Sequence, residues 1–325
     1  MLRPFLCKRS KLPFYSIPAI YRLMKSYQFV QMDVFSAVPG KGNTLAVVFD
    51  ADGLSEDSMQ SIARWTRLAE TTYTFPPTDA STPPESSYAI RMFAPTKEVP
   101  FAGHPSVGTA TALLDAAKIT PDSHSLVYQQ GLAGTLPLHV SAAPDGSRIV
   151  AIRAPRAREL PLPQVEVELE QSRVGLRLGG LRPALMDGGR RWWVIQAASE
   201  KDLREWSPAW DGIKALAKAT DSMGVCAYAF ADDANSDYQV VVRALVGAEQ
   251  HFEDAASGAA NATLAEFLFA NASDAVGSTD YVVSQGREVG YDARLFMRRD
   301  HDGEIWSGGQ TNTVIHGELQ WMTAS

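Results

Sequence analysis

The chain has 325 residues, 45% of them hydrophobic and 21% charged, and carries a net charge of −7 at pH 7. Its length suits two domains with cores large enough to need no covalent staples, and its acidic balance, pI near 5.4, argues against a phosphate-coating surface, so nucleic acid is not an expected partner. No apolar run reaches the roughly 18 to 20 residues that a membrane-spanning helix needs, and no membrane partner is expected. Cys7 and Cys226 stand far apart and in no ligand spacing, which leaves neither a disulfide framework nor a metal site to read.

Residues 1–26 read as an N-terminal extension on a cytoplasmic protein. Arg3, Lys8, Arg9, Lys11, Arg22 and Lys25, with no acid among them, have the charge bias of a mitochondrial presequence, but Pro4, Pro13 and Pro18 would break its amphipathic helix. Tyr27–Phe35 alternates as a half-buried strand and Ala46–Phe49 reads as a second. The turn between them, Pro39–Asn43, is rich in residues that tolerate positive φ, and either brings backbone to a ligand or simply reverses the chain. Ser55, Glu56 and Asp57 open a helix that ends near Leu68, with Met59, Ile62, Ala63 and Trp65 as its apolar stripe. Glu70 follows at a helix-to-strand junction, leading into Thr71–Phe75.

After a Pro- and Ser-rich loop, 76–87, comes a strand, Tyr88–Phe93, and then a helix, Val107–Ala117, uncharged before Asp115 and therefore expected to be buried. Pro105 fits its first turn, which leaves Gly103 and His104 at the positive end, where free N–H groups favour an anion. Pro144-Asp145-Gly146 signals a turn and a domain boundary near 146, followed by an irregular, proline-rich crossing from Arg153 to Gln171. Ser199–Leu203 and Ala209–Thr220 read as structural helices, and Cys226 as a buried strand residue.

The second half echoes the first: a strand, Tyr238–Leu245, a small-residue loop, Phe252–Gly258, and an apolar helix, Ala259–Phe269. Phe101 precedes Leu113 by the interval that separates Phe252 from Leu264. Tyr281–Gly286, Arg294–Met297 and, after Gly308-Gly309, Asn312–Ile315 read as closing strands. The expectation is an α+β chain of two similar domains, 27–145 and 146–325, each wrapping a sheet around one buried helix, with both helix N-termini facing a shared cleft and the last strand returning to the first domain.

Asp33-Val34-Phe35, Gly42-Asn43 with Leu45–Val48, Ala69-Glu70-Thr71-Thr72, Arg91-Met92-Phe93 and above all Pro100-Phe101-Ala102-Gly103-His104-Pro105 resemble the PhzF-like phenazine-biosynthesis isomerase family, from about Tyr27 to Leu319. The resemblance implies the diaminopimelate epimerase fold: two pseudo-symmetric domains, each a mixed β-barrel-like sheet around a central helix, assembled as a homodimer and needing no cofactor. It also implies a proton shuttle at Glu70, with His104 and Asp254 completing the catalytic set, and a small anionic substrate resembling trans-2,3-dihydro-3-hydroxyanthranilate. Asn43, Gly103, Ser257, Gly258 and Ala259 are the substrate-binding residues expected on the same basis.

Two departures stand out. In Glu253–Ala259 the family's proline, threonine and serine are Ala255, Ser257 and Ala259, and its Gly-Arg-Pro-Ser is here Gly290-Tyr291-Asp292-Ala293, without the basic residue. A decayed binding or regulatory protein, or an epimerase of another small acid, are the competing readings. Cysteine-based racemisation is disfavoured, because Cys7 lies in the extension and Cys226 in a strand.

Overall fold

The computed structural model describes residues 24–322 apart from residue 144, so the presequence reading falls on residues that lie largely outside it. The chain runs β1 (Met24–Val34), β2 (Asn43–Val48), α1 (Glu56–Thr66), β3 (Glu70–Phe75), β4 (Ser87–Ala94), β5 (Lys97–Val99), α2 (Gly103–Asp115), β6 (Leu126–Gly131), β7 (Gly134–Ala142) and β8 (Arg148–Arg153). It continues through β9 (Arg158–Leu160), α3 (Glu166–Ser172), β10 (Ala184–Asp187), β11 (Arg191–Gln196), α4 (Glu200–Glu205), α5 (Trp210–Thr220), β12 (Gly224–Phe230), β13 (Val240–Val246) and β14 (Phe252–Asp254). It closes with α6 (Gly258–Asn271), α7 (Ser273–Val276), β15 (Asp280–Gln285), β16 (Ala293–Arg299), β17 (Ile305–Gly309) and β18 (Thr311–Met322).

All the strands join one mixed sheet, whose hydrogen-bonded order is β18-β1-β2-β3-β4-β6-β7-β8-β17-β16-β15-β13-β12-β11-β10-β9, with β5 added to β4 and β14 to β13. The pairing plan is written twice. In the first half β2 is parallel to β3, β3 antiparallel to β4 and β4 parallel to β6. In the second, β11 is parallel to β12, β12 antiparallel to β13 and β13 parallel to β15. A short hairpin strand, β5 or β14, then leads into the long helix of each half. The halves meet where β8 lies antiparallel to β17, and the turn read as a boundary sits in the β7–β8 hairpin.

Both long helices are apolar around most of their surface, as an interior position requires. α2 packs against β1, β2, β3, β6, β8, β17 and β18, and α6 against β9 to β12, β16 and β17. The largest apolar cluster draws on both, from Val34, Leu45 and Val107 to Cys226, Leu264 and Leu295, so a single continuous core runs through the two halves. A second cluster lies under α3, α4 and α5, and a third under α1.

Several expectations need correction. Trp65 is 68% exposed rather than part of the α1 stripe: six residues beyond Met59 it points roughly 240° round the helix, while Met59, Ile62 and Ala63 share the buried face. The irregular crossing contains β9 and α3. Gly308 and Gly309, left unassigned between the closing strands, are the end of β17, where side chains would strike Val150 and Phe35 across the tight strand contacts. The echo between Phe101 and Phe252 is not structural either: Phe101 lies two residues before α2 and Phe252 six before α6, and the true equivalents are the helix-starting Gly103 and Gly258. The first strand begins at Met24, within the stretch read as an extension.

Candidate active site

The first turns of α2 and α6 abut. A Cβ built on Gly103 would lie 3.6 Å from the Cα of Gly258, and the reverse distance is the same, an ordinary contact distance that shows how closely the two helix starts approach. Helix first turns leave N–H groups unused. In α6, Ser257 Oγ accepts from Ala260 N at 3.4 Å, and in α2 Pro105 has no N–H to offer. Gly103, His104, Gly258 and Ala259 are therefore the residues whose N–H groups point out of the two helix ends, and the aligned peptide dipoles favour negative charge there.

Glu70 stands at the first position of β3, opposite Leu45 of β2, and its Oε2 comes within 3.2 Å of His104 Nε2. The two side chains are close without the alignment of a hydrogen bond. Burial pushes the Glu70 carboxyl up to about 7, against the opposing pull of the Arg190 guanidinium. His104 is pulled down to about 4, because burial outweighs the Asp254 charge and a hydrogen bond with the Thr44 backbone. Asp254 is raised as well, chiefly by burial, with His104 lowering it and Glu70 raising it. At neutral pH the imidazole is uncharged and Glu70 is near the midpoint of its titration, the state in which a carboxyl can both accept and donate a proton.

Asn43 ties the halves together. Its amide donates to Ala256 O at 2.9 Å and to Asp254 Oδ1 at 3.3 Å, and lies 3.5 Å from His104 Nδ1. Asn43 is itself held by the turn that precedes it: Asp33 accepts from Gly40 N, and Gly42 lies so close to Val34 O that a Cβ would be 2.5 Å away. On the other side Asp292 N donates to Lys41 O and Arg294 N to Phe35 O, which fastens that turn to the second half.

Of the residues picked out in the sequence, Glu70, His104, Asp254, Asn43, Gly103, Ser257 and Gly258 converge here, and Ala259 contributes an exposed position in the first turn of α6. Gln285 was not among them. Fully buried, it donates to Asp254 O at 2.7 Å and accepts from Ser257 N at 3.2 Å and from Asn261 Nδ2 at 2.7 Å, so it shapes the 254–257 loop from below. Gly286, at φ +96°, lets that support approach, since a Cβ would meet Ala255 O at 2.4 Å. Arg190, in the β10–β11 turn, was also missed. Because its charge lowers the Glu70 carboxyl, Arg190→Gln is expected to move the Glu70 titration to higher pH, as read by carbon NMR of the labelled carboxyl; an unmoved midpoint refutes the assignment.

Among the described residues one cluster of metal-type donors exists, Asp300, His301 and Asp302. Its Asp300 carboxylate is taken up by Asp302 N, Glu304 N and Trp306 Nε1, as a turn-forming aspartate is. No helix among the described residues is long and apolar enough to cross a membrane.

Comparison with known proteins identifies the family and the fold. Residues 32–317 match the family described as phenazine biosynthesis-like protein. Antisense-enhancing sequence 1 of Schizosaccharomyces pombe is 28% identical over 91% of this chain and 99% of its own. The trans-2,3-dihydro-3-hydroxyanthranilate isomerase of Pseudomonas aeruginosa is 28% identical over 86% of this chain and 92% of its own. The crystal structure of a Bacillus anthracis phenazine biosynthesis protein of the PhzF family superimposes with a TM-score of 0.75 at 20% identity, covering 91% of this chain and 99% of that one, which establishes the shared fold. The chain thus belongs to the phenazine biosynthesis-like family.

Proposed function

We propose that the protein is an isomerase that relocates a proton on a small carboxylate metabolite of the trans-2,3-dihydro-3-hydroxyanthranilate type, with Glu70 as the acid/base and no cofactor. The observation that carries this reading is the state of Glu70: a buried carboxyl brought to about 7, in contact with a neutral His104 and beside two helix N-termini that can hold the substrate's negative charge. Relatives named as isomerases support the reaction class. In this reading Glu70 takes a carbon-bound proton as carboxylate and returns it at another carbon as carboxylic acid. His104 and Asp254 orient the substrate's polar groups, and Asn43 keeps those two in register. Each half contributes, since Glu70 and His104 come from one and Asp254 from the other.

The test is turnover of trans-2,3-dihydro-3-hydroxyanthranilate in D2O. The wild-type chain is expected to convert it, with deuterium entering the product at the carbon that receives the proton to the extent that the Glu70 carboxyl exchanges with solvent before donating. Glu70→Gln is expected to bind the compound and to leave it unchanged. Binding without turnover by the wild type points to the competing reading of a binding protein, and unchanged turnover by Glu70→Gln removes Glu70 from the mechanism. The homodimer belongs to the same proposal, and sedimentation equilibrium checks it.

A further inference from the structure

The pairing plan that repeats between the halves also repeats an ion pair. Arg91 of β4 grips Glu98 of β5 with two arms of its guanidinium, Nε to Oε1 at 2.6 Å and Nη2 to Oε2 at 2.6 Å. Arg243 of β13 holds Glu253 of β14 in the same bidentate way. The positions correspond as well. Glu98 faces Phe93 and Glu253 faces Leu245, each two residues beyond the arginine, and each glutamate lies five residues before the glycine that starts the long helix, Gly103 or Gly258. Arg91 belongs to a motif, Arg91-Met92-Phe93, that carries the family resemblance and takes no part in the chemistry described above.

In the second half the strand held in this way presents Asp254 directly. In the first, Val99 occupies the equivalent place, buried opposite Met92, and the site residue is His104, the second residue of α2. Burial of Val99 guards the register of β5, but apolar contact has no direction. A bidentate fork fixes orientation as well. Only Pro100, Phe101 and Ala102 lie between β5 and α2, so a tilt of β5 is passed on to the helix start. We propose that Arg91 and Glu98 are positioning residues, their ion pair holding β5 at the angle that places His104 against Glu70. The pair is more exposed than its counterpart, 29% and 18% for the two side chains against 5% and 4%. Its contribution to stability is therefore small, and its effect on the site can be read separately.

Glu98→Gln tests this beside Glu56→Gln, which removes the other carboxylate on Arg91, 68% exposed and 2.8 Å from Nη2. Misplacement on the ångström scale can cost about 10²-fold in rate, and Glu98→Gln is expected to lower kcat roughly tenfold or more with KM little changed. In the ligand-free chain, proton NMR of the histidine rings is expected to show the His104 signal moved, that of His139 in β7 unmoved, and melting close to the wild type. Arg91→Lys keeps the charge without the fork and is expected to move the same signal. Glu56→Gln is expected to change neither turnover nor the ring signals. An unmoved His104 signal in Glu98→Gln overturns the inference, as does a moved signal with unchanged kcat. A lowered melting temperature with every ring signal displaced marks a merely structural pair and overturns it too, and so does an equal effect of Glu56→Gln. The turnover readout rests on the isomerase reading and the ring signal does not. A wild type that fails to convert trans-2,3-dihydro-3-hydroxyanthranilate overturns that reading, while the His104 signal still decides whether the pair positions the helix start.

Discussion

Glu70→Gln is expected to stabilise the protein while removing its chemistry. The carboxyl titrates near its ordinary 4.5 in the unfolded chain and near 7 in the folded one, so between those values the folded state holds a proton that the unfolded state has released. Stability from this group is therefore complete below about 4.5 and is lost as pH rises through 7. The loss amounts to roughly 3 kcal/mol above that window. His104 acts in the opposite sense: its folded value is near 4 against an ordinary 6.5, so its contribution grows as pH rises between them. In the wild type the two partly cancel between about 4.5 and 6.5.

Glutamine keeps the shape of the side chain without the charge, so the variant and the wild type should unfold alike near pH 4 and diverge with rising pH. By pH 8 the variant is expected to be more stable by about 2 to 3 kcal/mol, as measured by urea unfolding across the pH range. Turnover, in contrast, should fall by roughly 10²- to 10⁴-fold, the usual contribution of a positioned acid/base. A variant whose stability tracks the wild type at every pH would show that Glu70 is not desolvated as described, and would remove the physical basis for its catalytic role.

How much of this was legible in the sequence depends on the scale of the signal. Glu70 could be placed at a junction because Ser55 marks a helix start and Thr71–Phe75 a strand, both signals local to a few residues. Gly103 and His104 at a helix N-terminus followed from Pro105, whose missing N–H suits a first turn. The two buried helices announced themselves by lacking charge. That the two helix starts touch was expected only as a shared cleft, and the exact partners were misjudged: counting from phenylalanine to leucine matched residues that occupy different turns, whereas helix starts are the physical equivalents.

Gln285 was invisible for a different reason. Its importance lies in what the fold brings beside it, a loop carbonyl at 2.7 Å. It has no periodicity or neighbour in sequence that betrays it.

Glu253→Gln is expected to be the most destabilising single change beside the site. Arg243 and Glu253 form a bidentate pair, Nε to Oε1 at 3.0 Å and Nη2 to Oε2 at 2.8 Å, with side chains 5% and 4% exposed. Arg243 Nη1 also donates to Leu203 O and Trp206 O at the end of α4, so every part of the guanidinium is spoken for. Side chains alternate along a strand, and Glu253 and Asp254 are consecutive in β14, paired with Leu245 and Ala244 of β13. Glu253 is thus fixed on one face by Arg243 while Asp254 is presented on the other, towards Asn43. A one-residue slip of β14 would exchange the two carboxylates, and the buried pair makes that slip costly.

Removing the partner charge leaves Arg243 uncompensated in the interior, at a cost of roughly 3 to 5 kcal/mol, visible as a matching fall in unfolding free energy. Arg243→Met combined with Glu253→Met removes both charges and should recover part of that loss, though not the carbonyl contacts to α4. If the pair also sets register, this double variant will fold yet turn over poorly, with the defect in kcat because Asp254 is misplaced. Full activity in a stable double variant would show that β13 pairing alone holds Asp254 in place, and that the ion pair serves the fold only.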